Sequence, residues 1–220
     1  MSYVDFIGLV HKSTPRDYVQ RVVEHDKAHC AEVAGRFGYD YWDGDRKYGF
    51  GGYRYDGRWR AVAEAMVEHY ALKPDARILD IGCGKGFLLY EFTQVLPEAT
   101  VAGIDISEYG IENAKPEVRE RLQVGNCTDL PWADDSFDFA YSINTFHNLH
   151  NYDLHKALKE MQRVGRAAKH ITVESYRNES EKANLLYWQL TCRAFMTPAE
   201  WEFAFAQAGY DGDYGCIYFE

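Results

Sequence analysis

The chain has 220 residues, enough for one α/β domain with a full core, and its formal charge of −10 excludes a general nucleic-acid binder, which needs clustered lysine and arginine. No apolar run approaches the ~20 residues of a membrane span, and the N-terminus lacks a basic-then-apolar leader pattern. Its five cysteines, Cys30, Cys83, Cys127, Cys192 and Cys216, show neither disulfide-like nor zinc-like spacing, so a cytoplasmic protein with reduced thiols and no metal is expected.

In chain order, Ser13-Thr14-Pro15 reads as an N-cap with proline in the first turn, opening a helix over residues 13–37. Val19, Val22, Val23, Cys30, Val33 and Phe37 give it an apolar stripe, and Gly38 ends it. His25 and His29 stand four apart, a metal-compatible spacing without a further ligand nearby, so a solvated face is expected there. Residues 39–60 are different. Tyr39, Tyr41, Trp42, Tyr48, Phe50, Tyr53, Tyr55 and Trp59 alternate with glycines and with Arg46, Lys47, Arg54, Arg58 and Arg60, so neither the helix nor the strand period survives. A long ordered loop is expected, either a flap over the core or a lid whose arginines grip carboxylate or phosphate. Helical spacing resumes over Arg60–Tyr70, and Lys73-Pro74-Asp75 turns into the first strand.

Ile78–Phe92 is the centre of the chain's organisation. An apolar run ends at Asp80, passes through Gly82, Gly84 and Gly86, and becomes helical in pattern from Phe87 to about Leu96. Strand, tight turn and helix follow, with helix N–H groups aimed at the turn. The spacing is Gly-x-Gly-x-Gly, one residue short of the dinucleotide fingerprint. With Asp80 before the glycines, it resembles the first motif of class I S-adenosylmethionine-dependent methyltransferases.

Later segments extend that resemblance. Thr100–Ile104 forms a second strand ending at Asp105, 25 positions after Asp80, with Ser107 capping the next helix. The match assigns Asp105 to the cofactor's ribose and places its neighbour Ile106 in the cofactor set. Gly125-Asn126-Cys127-Thr128-Asp129-Leu130-Pro131, followed by Ser136-Phe137-Asp138, is similar to the ubiquinone-biosynthesis-type branch of the family. Asn126 stands where that branch has an acid and keeps an acceptor oxygen for the adenine amino group; the Cys127 N–H serves a ring nitrogen, and Asp129 is the alternative acid.

Asp138–Ile143 reads as a fourth strand running into Asn144-Thr145-Phe146-His147-Asn148-Leu149-His150. Relatives place cofactor and acceptor contacts there, so Asn144 joins the cofactor set. His147 is the candidate general base, with a packed histidine as the structural alternative and His150 as the fallback. An amphipathic helix over residues 152–164 follows, then a fifth strand, His170–Val173, ending in Glu174-Ser175-Tyr176-Arg177 on the same rim. Residues 178–196 give a helix over the site, and Thr197-Pro198-Ala199-Glu200 is a capping box whose helix stops at Gly209. The final YDGDYGCIYFE leaves room for one strand or a very tight pair.

The resemblance implies a Rossmann-like, doubly wound, mostly parallel sheet of six or seven strands with helices on both faces. Residues 1–60 supply a helix and aromatic lid, and residues 61–220 the S-adenosylmethionine-binding part of the same domain. Asp80, Gly82, Cys83, Gly84, Gly86, Asp105, Ile106, Asn126, Cys127 and Asn144 would hold the cofactor. Tyr48, Tyr53, Arg54, Arg58 and Arg177, together with Arg46, would hold a small anionic acceptor, with oxygen favoured over nitrogen as the methylated atom. The rival classes are a non-catalytic cofactor-binding protein, which would lack a working acceptor side, and a nucleotide-dependent oxidoreductase, which would need the other glycine spacing.

Overall fold

A computed structural model describes residues 1–10 and 16–220. Six strands form one sheet: β1 (Arg77–Ile81), β2 (Thr100–Asp105), β3 (Leu122–Val124), β4 (Phe137–Ile143), β5 (Gly165–Glu174) and β6 (Asp213–Ile217). Their order is β3-β2-β1-β4-β5-β6, and every neighbouring pair is parallel. Parallel strands need crossovers, and helices supply them: α5 (Phe87–Val95) between β1 and β2, and α7 (Asn151–Val164) between β4 and β5. Both faces of the sheet are thereby covered. Along β1 the side chains alternate, Ile78 joining Val62, Met66, Leu89, Phe92 and Phe139 on one face, and Leu79 and Ile81 joining Leu158, Met161, Trp201 and Phe205 on the other.

Among the described residues the sheet has six strands, the lower of the two expected numbers, and its last strand is parallel to its neighbour, so the sheet is wholly and not mostly parallel. After β5 the chain makes two further helices, α8 (Glu179–Trp188) and α9 (Pro198–Ala208), and returns to the start of the sheet before pairing. α9 has the expected capping box, Thr197 with Glu200, and stops at Gly209 in a left-handed conformation, φ 72°. The exposed side of β6 meets the N-terminal segment instead: Val4 N–H donates to the Tyr214 carbonyl at 2.8 Å, and Tyr214 N–H to that of Ser2 at 3.0 Å.

The N-terminal part departs from its expected form. The cap expected at Ser13-Thr14-Pro15 lies outside the described residues. In place of one helix there are two, α1 (Tyr18–Glu24) and α2 (Lys27–Ala34), each started by its own aspartate, Asp17 and Asp26, whose carboxylate accepts from a backbone N–H three residues on. His25 is extended at the break, φ −134° and ψ 139°, so His25 and His29 do not share a helix. Among the described residues no group of three or more metal-ligating side chains forms. Residues 39–60 contain a short helix, α3 (Tyr39–Trp42), and a 3₁₀ turn, Arg46–Tyr48, before α4 (Arg60–His69). The remainder is loop, packed by rings: Trp42 stacks on Phe50, and Tyr53 on Phe87.

Candidate active site

The strand order reverses between β1 and β4, and at such a switch point an open sheet binds ligands beyond its strand ends. There β1 enters the glycine turn and β4 enters Asn144-Thr145. The two turns touch. A Cβ on Gly82 would lie 1.9 Å from Thr145 Oγ1, and one on Gly84 2.6 Å from the Trp42 ring. Both glycines have positive φ, 85° and 51°, so conformation and close packing demand glycine together. A cavity of about 750 Å³ opens over these turns, of a size that holds a small-molecule ligand.

Asp105 organises the cofactor side. Its Oδ2 accepts from Gly84 N–H at 2.7 Å and its Oδ1 from Ser107 N–H at 2.8 Å, while Ser107 Oγ caps α6 (Glu108–Glu112) by accepting from Gly110 N–H. Burial raises the Asp105 carboxyl, and the Ser107 and Gly84 N–H groups act against that rise. Each oxygen keeps a second lone pair for a ligand hydroxyl. Burial pushes Asp80 well above the usual carboxylate range, against a lowering contribution from Tyr141 and with the Asp105 charge adding to the rise. Asp80, Gly82, Cys83, Gly84, Asp105, Ile106, Asn126, Cys127 and Asn144 all line the cavity. Gly86 does not. It starts α5 with φ 69°, and its bare Cα faces Leu122 and Val118, so packing explains the glycine. The Asn126 oxygen accepts from both the N–H and the hydroxyl of Thr128, at 3.0 Å each, which uses its two lone pairs inside its own loop.

The aromatic stretch is tied to the glycine turn. Lys85, next to Gly84 and 5% exposed, donates to both oxygens of Asp43 at 2.8 and 2.6 Å and to the Tyr53 carbonyl at 2.9 Å. Tyr109 donates to Asp43 as well. Trp42 Nε1–H donates to Ser107 Oγ at 2.8 Å. Burial works to raise Asp43, but the hydrogen bonds from Lys85 and Tyr109 outweigh it and hold the carboxyl below its ordinary range.

The arginines divide. Arg58 borders the cavity but is bound to Asp56 at 2.5 Å, and Arg54 lines the wall. Arg177 is neutralised by Glu181 at 2.6 Å and by Glu220, lies over the Tyr218 ring, and stays off the cavity. Tyr48 is also off it, packed edge-on to His29. Tyr53 lines it. Pattern reading missed Arg16, Arg21 and Trp188. The Arg21, Arg16 and Arg46 guanidiniums lie 4.5, 5.2 and 5.6 Å from the Trp188 ring centroid. Arg21 and Arg46 form no ion pair among the described residues, and all three border the cavity. Burial lowers both Arg21 and Arg46, and a like-charged neighbour adds to it, Arg46 for Arg21 and Arg16 for Arg46.

His147 sits in the 3₁₀ turn Phe146–Asn148 after β4, 3% exposed, on the cavity wall. Its Nδ1 accepts from the Glu174 backbone N–H at 3.3 Å. Burial pushes its pKa down to about 3, so the ring is neutral near pH 7. His150, the fallback, starts α7 and does not line the cavity.

A family model described as Methyltransferase domain matches residues 72–209. The demethylmenaquinone methyltransferase of Roseiflexus sp. (strain RS-1) is 36% identical over 115 residues, which are 50% of this chain and 46% of that protein. The 24-methylenesterol C-methyltransferase 3 of Arabidopsis thaliana is 30% identical over 136 residues, 56% of this chain and 37% of that protein. The chain spans about half the length of the curated relatives it matches, or less. Among solved structures, the YcgJ protein from Bacillus subtilis superposes with a TM-score of 0.54 at 24% identity, covering 66% of each chain, a likeness of fold. No helix among the described residues is long and apolar enough to cross a membrane.

Proposed function

Because the chain belongs to the methyltransferase domain family, we propose that it transfers the methyl group of S-adenosylmethionine to a small polar acceptor that carries an acid group. Bound S-adenosylmethionine supplies a methyl carbon already activated by its sulfonium. The chain's residues then have to hold, align and exclude water, and positioning of that kind can lower a barrier by ~7–11 kcal/mol. The glycine turn gives close backbone approach, and Asp105 offers lone pairs to ribose hydroxyls. The Asn126 oxygen is occupied, so the adenine contact falls to the backbone beside Cys127 and to the Asn126 amide N–H groups.

The observation that carries the acceptor assignment is the pairing of Arg21 and Arg46 on Trp188, two guanidiniums on one cavity without an acid partner among the described residues. Like charges held together against burial are relieved by an anion, and guanidinium groups fit carboxylate or phosphate in a two-pronged grip. Sugar phosphates, phosphorylated amino acids and free amino acids all meet that demand. A second reading, an apolar ring acceptor, draws on the aromatic wall of Trp42, Phe50 and Tyr53 and on the quinone and sterol named for the relatives.

The test uses methyl-deuterated S-adenosylmethionine with a panel of phosphorylated sugars and amino acids, followed by mass spectrometry. A labelled acidic product and S-adenosylhomocysteine are expected. A labelled neutral or lipid-soluble product would replace the first reading with the second.

A further inference from the structure

β5 ends by delivering Glu174 to the cavity wall. The side chain is buried, 4% exposed, and its Oε2 has no hydrogen-bond partner among the described residues, whereas Oε1 accepts from the Gln189 amide. A buried carboxyl oxygen left unpaired is costly unless a ligand brings a donor to it. His147 closes the other side. Since Nδ1 accepts from the Glu174 N–H, the neutral ring carries its proton on Nε2, which stands 3.4 Å from Oε2. The ring has no free lone pair to offer an acceptor. Its Nε2 side stands near the carboxyl without a hydrogen bond to it.

We propose that Glu174 is a catalytic residue whose Oε2 accepts the hydrogen of the acceptor's hydroxyl and takes the proton during transfer, with His147 as a positioning residue behind it. This rests on the methyl-transfer reading. A lone pair of the acceptor oxygen forms the bond to the methyl carbon, and the pair of the breaking carbon–sulfur bond stays on sulfur. The O–H bonding pair remains on oxygen as its proton moves to Oε2. The acceptor is thereby narrowed to molecules that present a hydroxyl to Glu174 and an acid group to Arg21 and Arg46.

The electrostatics agree. Burial lifts the Glu174 carboxyl to about 8, with Arg16 and Gln189 acting against the rise. Tyr41 and Cys192 also face it, and burial keeps both protonated. The basic form therefore grows as pH rises through about 8.

The test compares wild-type protein with E174Q, E174D and H147N. Asparagine at 147 can still accept the Glu174 N–H but cannot reach Oε2. With methyl-deuterated S-adenosylmethionine and a low-molecular-weight cell extract, S-adenosylhomocysteine release is followed from pH 6 to 9.5. S-adenosylhomocysteine affinity is measured by calorimetry alongside. E174Q is expected to keep that affinity within about twofold and to lose ~10²–10⁴-fold in rate. E174D should recover part of the rate, and H147N should move the rising limb of the pH profile to higher pH. In cofactor-free protein labelled with ¹³Cδ-glutamate, one carbon resonance absent from E174Q should titrate near 8, and higher in H147N. E174Q turning over as fast as wild type would overturn the assignment alone. Wild-type protein that binds S-adenosylmethionine yet releases no S-adenosylhomocysteine would overturn the methyl-transfer reading and this assignment with it.

Discussion

The two walls of the cavity are built on opposite principles. Around the glycine turn nearly every polar group has an internal partner: Asp105 holds Gly84 and Ser107, Ser107 holds Trp42 and Gly110, and Lys85 holds Asp43. Across from it, Arg21 and Arg46 face the cavity without an acid, and Glu174 presents an oxygen without a donor. A wall satisfied by itself keeps its shape whatever is bound. A wall left unsatisfied specifies what must arrive, because each open charge or lone pair is lost free energy until a ligand completes it.

Breaking the satisfied wall should have the largest effects. Gly84→Ala forces a side chain into a left-handed conformation and against the Trp42 ring, and about 2–4 kcal/mol of stability should be lost, read from denaturant midpoints. Asp105→Asn removes a charged acceptor from two backbone N–H groups; S-adenosylhomocysteine affinity should fall about 100-fold by calorimetry. Changes to the unsatisfied wall should be smaller and of a different kind. Arg46→Ala should raise the KM for an acidic acceptor about tenfold, with cofactor affinity unchanged and a flatter dependence on salt. Equal losses on both ligands would erase the distinction between the walls. The smallest effect is in acid. Asp43 is held below its ordinary range, so its stabilising contribution is full above the unfolded pKa, about 4, and disappears as pH falls through the lower folded value. Asp43→Asn should therefore flatten the acid side of a stability-against-pH curve measured by thermal melts.

That division also governs what the sequence disclosed. The glycine turn, Asp105 and the Ser107 cap are short-range patterns, each set by residues a few positions apart, and they were legible. So was the alternation of strands and helices. The split between α1 and α2 was less so, because a valine stripe ran across a break that only the caps at Asp17 and Asp26 announce. Arg177 looked like a ligand-binding arginine from its place at a strand end. Glu181, one helical turn on, claims it. The gathering of Arg16, Arg21 and Arg46 on Trp188 joins three separate segments, and no local pattern encodes it. Glu174 was visible as a rim residue, but its unpaired oxygen depends on where Gln189 and His147 come to rest.

The Lys85–Asp43 pair couples the two ligand positions. Lys85 is the residue after Gly84, so its bonds to Asp43 and Tyr53 tie the aromatic stretch to the glycine turn, and Tyr53 is part of the cavity wall. A ligand that tightens the turn also tightens the wall against which the second ligand docks. Thermodynamic linkage makes such coupling mutual: whatever factor the cofactor adds to acceptor affinity, the acceptor must add to the cofactor's. The two reactants should therefore bind more tightly together than apart, by the same factor in either order of addition.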